Sequence, residues 1–348
     1  MTIRTPDVDA LRDPQKFRAE VMERGEPALL RGAASGWAML RQEATQADAI
    51  PEAGSSALSG VLDVLRAFDA GRDAEVFVGP PAIDARYHYD ATLTGFNFER
   101  VSLRFGEALD RIVATAGLPD RPSMYMGSLT TETYLPGIEQ TMPLPFVPAA
   151  VRPRVWIGHP SVVACHYDVM DNVACVAAGR RRFTLYPPDA IADLYVGPID
   201  HTLAGQPISL AASSEPGDPR YPRFERARAR AIVVELSPGD AIYVPKLWWH
   251  QVEALDPVNV LVNYWWDGFA PGPDQPYTTM LLAMLAIAER PAAERQAWRA
   301  WFDHYVFRSE DHPLAFLPPE QHGVLEDSSP ANRSRLRAIV MRLLRSTG

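Results

Sequence analysis

The sequence predicts a mainly β protein with helices flanking the β core. Two observations carry that class. Short β-rich runs recur at 154–158, 161–169, 172–177, 181–186, 231–236, 241–244 and 258–264. Turn signals separate them: Ala178-Gly179, Tyr186-Pro187-Pro188-Asp189, Ser237-Pro238-Gly239-Asp240 and Asp256-Pro257. Many short strands so spaced argue a sandwich or barrel. The 32 prolines point the same way, to turns and extended segments rather than a helix bundle.

The elements follow in chain order. Asp13-Pro14 reads as an N-cap and an N1 proline, and Phe17 and Val21 share the face of the helix it starts. Residues 27–32, Pro-Ala-Leu-Leu-Arg-Gly, read as a short strand ended by glycine. Leu58, Val61, Leu62 and Leu65 predict a helix over 58–70. Val101, Phe105, Leu109 and Ile112 predict another from Phe98 to Ala116, and 117–153 reads as mostly loop. A polar, Arg-rich loop at 212–230 interrupts the β core. After 276 the pattern turns helical, with Leu281, Leu282, Leu285 and Ala288 on one face. Trp298, Trp301, Phe302 and Tyr305 make a second stripe, read as core or as an interface between subunits. Ser329-Pro330 starts a last helix carrying Leu336, Ile339, Val340, Leu343 and Leu344. The expected organisation is a β domain with its N-terminal elaboration over 1–276, its core at about 154–266, and a helical region over 277–348.

Composition narrows the function. The chain has 348 residues, 47% hydrophobic and 22% charged, an ordinary globular balance. No apolar run approaches the ~18–20 residues of a membrane helix. The first residues carry no apolar stretch, so no secretory signal is expected. Two cysteines, Cys165 and Cys175, make no disulfide framework and read as small buried hydrophobes in a reducing, cytoplasmic setting. A net charge of −9 disfavours nucleic acid as a partner. Of the 34 basic residues only Lys16 and Lys246 are lysines.

The informative segment is His166-Tyr167-Asp168. In a strand, residues i and i+2 project to one face, so His166 and Asp168 present an imidazole and a carboxylate together. His250, in Pro245-Lys246-Leu247-Trp248-Trp249-His250, also falls on the β core. Two histidines and one carboxylate can make the facial triad that holds non-haem Fe(II) and leaves positions open. His159 and His201 lack ligand spacing to a partner and are expected in surface or supporting roles. No role is assigned to His88, His304, His312 or His322. No nucleophile elbow, P-loop or dinucleotide fingerprint is present. The arginines Arg220, Arg223, Arg226, Arg228 and Arg230 read first as a solvated loop, and second as a field steering an acidic substrate.

Three stretches closely resemble the cupin-like JmjC family of 2-oxoglutarate oxygenases. They are Trp156-Ile157-Gly158 through His166-Tyr167-Asp168 to Gly179 and Tyr186-Pro187-Pro188; Pro238-Gly239-Asp240 through Trp248-Trp249-His250; and Val262-Asn263-Tyr264-Trp265-Trp266. Residues 27–37 fit the family's entry strand. The resemblance implies a double-stranded β-helix of eight strands in two sheets. It implies Fe(II) on His166, Asp168 and His250, with 2-oxoglutarate as cosubstrate. It places Arg181 where the family usually has a lysine for the distal carboxylate. Asn172 and Asn263 match asparagines lining the site, and Tyr125 matches a tyrosine donor. Val163 stands where a threonine hydroxyl is common. It also implies a homodimer through the C-terminal helices.

The expected function is an Fe(II)- and 2-oxoglutarate-dependent hydroxylase of a protein side chain or a small molecule, without membrane or nucleic-acid partners. The alternative is a metal-binding cupin without oxidative activity, an isomerase or a sensor, which would not need Arg181, Asn172 and Asn263.

Overall fold

The computed structural model describes residues 3–41, 55–199, 205–269, 272–308, 311–326 and 329–346. The chain forms two compact units, Met1–Gly268 and Phe269–Gly348.

In the first unit thirteen strands build two sheets. They are β1 (Ala28–Leu30), β2 (Asp73–Gly79), β3 (Arg86–Tyr87), β4 (Glu99–Arg104), β5 (Ser123–Thr130), β6 (Pro153–Gly158), β7 (Ser161–His166), β8 (Asp171–Ala178), β9 (Arg181–Tyr186), β10 (Ile232–Leu236), β11 (Ala241–Val244), β12 (Trp249–Ala254) and β13 (Asn259–Trp266). One sheet has the order β1-β11-β8-β13-β6-β5-β2-β4, the other β10-β9-β12-β7-β3. All pairings between named strands are antiparallel except β3 with β7. Strands β6–β13 form the expected eight-stranded core, four in each sheet, and β1–β5 extend it at the edges. The mainly β class with flanking helices is what the structure shows.

Apolar side chains from both sheets meet between them: Ala174, Val176, Phe183, Leu185, Ile242, Val252 and Leu261. Alternation explains this, since residues two apart on a strand share a face. The outer face of the eight-stranded sheet is covered by α1 (Pro14–Glu20), α2 (Ser55–Ala67) and α3 (Phe105–Thr115), through Phe17, Val61, Leu65, Phe105, Leu109 and Ile112. The Asp13 carboxylate accepts from the N–H groups of Gln15 and Lys16, which starts α1 as its sequence predicts. Short helices α4 (Thr131–Tyr134) and α5 (Phe224–Arg228) lie in connections. Cys165 and Cys175 are fully buried, and burial pushes both thiols up.

The structure corrects two readings and adds one strand. Residues 117–153 hold β5, inside the eight-stranded sheet, where mostly loop was expected. Its Met-Tyr-Met-Gly-Ser-Leu-Thr mixture has neither a β-branched run nor clean alternation. The helix expected from Phe98 begins at Phe105, because 99–104 is β4, with Val101 and Leu103 alternating against charged residues. The seven predicted β runs fall on seven core strands, and the eighth, β12, carries His250.

The second unit contains α6 (Pro276–Ile287), α7 (Ala292–Phe302) and α8 (Pro330–Ser346), with a π-helical turn at Asp303–Phe307. None of its described Leu, Ile, Val, Met, Phe, Trp or Tyr side chains is buried. The aromatic stripe is therefore not core: Trp298 is 42%, Trp301 59% and Leu285 83% exposed. No helix among the described residues is long and apolar enough to cross a membrane.

Candidate functional site

Strands β7 and β12 are neighbours, and their register sets His250 opposite His166. A register shift between His250 and Val252 marks an irregularity just past the ligand pair. The two imidazole centroids lie 4.4 Å apart. Asp168 lies two residues past the end of β7, so a turn rather than strand alternation brings its carboxylate in. The Leu247 N–H donates to the Asp168 carbonyl oxygen at 2.8 Å, with Leu247 in the left-handed region at φ +68°. The Asp168 Oδ2 then sits 3.7 Å from His250 Nε2. One ligand atom from each of His166, Asp168 and His250 falls within 4.8 Å of the others.

The hydrogen bonds set the tautomers. His166 Nδ1 lies 2.8 Å from the Ala164 carbonyl oxygen, and His250 Nδ1 lies 3.0 Å from that of Trp248. A carbonyl only accepts, so each Nδ1 carries the proton and each Nε2 keeps a free lone pair. His250 is 3% exposed, and its pKa falls to about 4, through burial first and then the neighbouring His166. It stays neutral near pH 7, the form that ligates a metal.

His159 shows the opposite arrangement. Its Nδ1 accepts from the Met124 N–H at 3.0 Å, and its Nε2 lies 2.9 Å from the Ile112 carbonyl oxygen. It is fully buried and ties α3 to the sheet, a structural histidine with no lone pair left for a metal. His201 lies outside the described residues.

Below the three ligands a cavity of about 70 Å³ runs between the sheets. Its walls include Tyr125, Val163, Asn172, Arg181, Asn263 and, with them, two tryptophans, Trp156 and Trp265. All four residues expected to meet a cosubstrate are therefore gathered at one cavity with the three candidate ligands. Asn263 Nδ2 donates to Asn172 Oδ1 at 2.9 Å. Burial raises the Tyr125 hydroxyl, offset by the nearby Arg181.

Three consecutive arginines meet three environments. Arg180 forms a two-pronged pair with Asp256, its Nη2 2.8 Å from Oδ1. Arg182 Nη2 meets Glu235 at 2.8 Å and its Nη1 meets Glu253 at 3.2 Å. Arg181 is 1% exposed, and its Nε and Nη2 are buried without a hydrogen-bond partner. Alternation on β9 is the cause, with Arg181, Phe183 and Leu185 turned inward. Burial lowers the Arg181 pKa to about 10, which leaves it charged at neutral pH.

The unpartnered atoms sort by chemistry. Asp168 Oδ2 and the two Nε2 lone pairs converge at one end, a donor set of two imidazoles and one carboxylate that fits a non-haem Fe(II) ion. Arg181 offers buried N–H donors farther in, where an anion fits. An unpaired buried polar group costs about 1–3 kcal/mol, so such a concentration marks a ligand site. Phe183, Val252 and Leu261 supply the apolar remainder.

Sequence reasoning missed Trp156 and Trp265 as wall residues, although both stood in quoted motifs. Alternation from Asn263 to Trp265 on β13 was the available signal. It also left Lys246 without a role. Lys246 Nζ bonds Asp267 and lies 3.8 Å from the buried Asp171, which accepts from the Tyr243 hydroxyl at 2.8 Å. This network braces the loop that leads to His250. The Arg-rich loop is neutralised locally, as Arg220 pairs with Asp218, Arg223 with Asp193, Arg228 with Glu225 and Arg230 with Asp189.

A family model described as a cupin-like domain matches residues 14–271. Among curated proteins, the chain is 33% identical over 167 residues to HSPB1-associated protein 1 of Homo sapiens, covering 46% of this chain and 32% of that protein. It is 37% identical over 101 residues to lysine-specific demethylase JMJ31 of Arabidopsis thaliana, covering 29% and 18%. It is 36% identical over 101 residues to tRNA wybutosine-synthesizing protein 5 of Danio rerio, covering 29% and 28%. The matched stretches span a third or less of these relatives' own lengths.

Proposed function

The chain belongs to the cupin-like domain family, in its JmjC-type branch, and from that premise we propose that it is an Fe(II)- and 2-oxoglutarate-dependent oxygenase. The finer reading is a hydroxylase of a protein side chain or a small molecule. The net charge of −9 argues for a substrate other than nucleic acid. The observation that carries the reading is one cavity lined by the His166-Asp168-His250 donor set and by Arg181, whose buried Nε and Nη2 have no partner.

In this reading His166, Asp168 and His250 hold the metal from one side and leave its other positions open. Arg181 fixes the far carboxylate of the cosubstrate, with Tyr125 beside it. Asn172 and Asn263, bonded to each other, flank the metal end. When bound, Fe(II) with 2-oxoglutarate supplies dioxygen activation, in which the cosubstrate is decarboxylated to succinate and the substrate gains a hydroxyl. The apolar walls keep bulk water out of the cavity, which strengthens each charge-assisted contact inside. Charge polarity along the cavity fixes which end of a 2-oxo dicarboxylate meets the metal.

An anaerobic titration of Fe(II) and 2-oxoglutarate tests the reading. A visible metal-to-ligand charge-transfer band, followed in air by succinate formation, is the expected result. Iron binding without the band would favour a cupin that performs no oxidation.

The same reading includes a homodimer through the second unit. Its exposed Leu285, Trp301 and Phe307 are among many large apolar side chains open to solvent there, the kind of surface that a second copy would cover. A clean monomer in sedimentation of the full chain would remove it.

A further inference from the structure

Trp156 lines the cavity shared by the three candidate ligands and Arg181. On the five-stranded sheet the order is set by register. His250 and His166 form one row, Val252, Val163 and Phe183 the next, and Arg181 lies beyond, opposite Ala254. On the facing sheet Trp156 pairs with Leu261, and both line the cavity. Its indole stacks on Tyr125, with centroids 6.0 Å apart and planes 28° from parallel. Trp265 meets it edge-on at 5.8 Å.

The orientation of the ring follows from Gly127. A Cβ there would stand 3.1 Å from Trp156 Cζ3 and 3.3 Å from Cε3, so the bare glycine makes room for the six-membered ring against β5. The N–H is at the opposite edge of the indole. That Nε1 is buried and has no hydrogen-bond partner. The neighbouring rings, Tyr125 and Trp265, meet the indole through faces and edges, and an aromatic face is a weak substitute for a lone pair. The Trp156 N–H joins Arg181 Nε, Arg181 Nη2 and Trp265 Nε1, four unpaired buried donors on residues of this cavity. Four unpaired donors on residues of one cavity suit a multiply accepting anion, and a carboxylate has about four lone-pair sites.

Building on the cosubstrate reading above, we propose that Trp156 is a ligand-binding residue that donates its indole N–H to the carboxylate held by Arg181. It thereby helps select 2-oxo acids that carry a second carboxylate. The hydroxyl-free Val163 lies on the facing sheet, so no alcohol from that row competes for the same oxygen.

The test is calorimetric, anaerobic and independent of turnover. Wild type, Trp156→Phe and Trp156→Leu are loaded with Mn(II) and titrated with 2-oxoglutarate and with 2-oxobutanoate, which lacks the second carboxylate. Trp156→Phe keeps an aromatic wall and loses the donor. It is expected to weaken 2-oxoglutarate by about 10- to 100-fold and 2-oxobutanoate by less than about 3-fold, with Mn(II) affinity unchanged. Equal loss for both ligands would make Trp156 a wall only and overturn the proposal, as would unchanged 2-oxoglutarate affinity. No binding of 2-oxoglutarate to wild type would remove the function reading itself, a distinct result. If the variants fold poorly, the Zn(II)-loaded wild type labelled with ¹⁵N-indole decides. A downfield shift of the Trp156 indole N–H, told apart from Trp265 by the spectrum of Trp265→Phe, on adding 2-oxoglutarate and absent with 2-oxobutanoate supports the contact, and its absence refutes it.

Discussion

The two units break opposite rules of folding. The first buries polar atoms it does not pair: Asp168 Oδ2, Arg181 Nε and Nη2, and Asn263 Oδ1. The second exposes apolar residues it does not bury, from Met280 to Leu344. On either side of Arg181 in that unit, Arg180 and Arg182 are paired, and its apolar residues pack in continuous clusters. The difference teaches that a departure is read by its chemistry. Unpaired buried charge specifies a small polar ligand, whereas uncovered apolar surface specifies a large apolar one, and neither is a stability device.

The comparison breaks most cleanly at the metal end. His166→Ala, Asp168→Ala and His250→Ala should each lower iron affinity by more than about 100-fold and abolish turnover, since each removes a ligand rather than its support. His159→Ala and His201→Ala should keep iron. Metal analysis and oxygen consumption on the five variants decide the matter. Loss of iron from the His201 variant, with retention by the His250 variant, would mean the triad is misassigned.

At the anion end, Arg181→Ala should weaken 2-oxoglutarate roughly 30-fold to several-thousand-fold while iron binding holds, because one buried charge-assisted pair is lost. Arg181→Lys should retain part of the affinity. The measurement is apparent 2-oxoglutarate affinity at fixed Fe(II), and unchanged affinity in the alanine variant would place the cosubstrate elsewhere.

In the second unit, Leu285→Glu with Trp301→Glu should weaken self-association at least tenfold, about 1.4 kcal/mol, and leave iron affinity alone. Removing 277–348 should leave the first unit monomeric or aggregated. Sedimentation over a concentration series reads both, and unchanged association in the double variant would move the interface.

The smallest effect sharpens the contrast between paired and unpaired histidines. Burial lowers His159 to about 4 from 6.5, and His250 moves the same way. Between those two pH values the unfolded chain binds protons that the folded chain refuses. Stability therefore rises with pH across the window and falls on acidification. His159→Gln should flatten that slope by about 1–2 kcal/mol between pH 7 and pH 4.5. Urea unfolding at the two pH values measures it, and an unchanged slope would assign the effect to other groups.

The candidate metal site was legible because its signals are short-range. His166, Asp168 and the Pro-Lys-Leu-Trp-Trp-His run keep their spacing wherever the chain goes, and Arg181, Phe183 and Leu185 announce an inward charge by alternation. Asp168 reached the right place for a different reason than alternation, through the Leu247 backbone contact that no local pattern encodes. Strand β5 was illegible because its place between β6 and β2 is fixed by neighbours about 30–50 residues away in sequence, so its own residues need little β preference. Trp156 was seen as a motif letter. Its unpaired N–H depends on what Tyr125, Gly127 and Trp265 fail to offer, which is a property of the assembled fold.

The Arg180-Arg181-Arg182 run carries one further consequence. The three residues are interchangeable in charge, so electrostatics alone cannot say which of them goes inside. The choice is made by Phe183 and Leu185, whose burial between the sheets locks β9 against Val234, Ile232 and Val252. A slip of one residue would turn every side chain of β9 to its other face, exposing both apolar residues and burying Arg182 away from Glu235 and Glu253, which stay on β10 and β12. Hydropathy thus acts as the reading frame for charge here. A substitution such as Phe183→Arg, far from any cation in chemical kind, would corrupt the identity of the inner arginine.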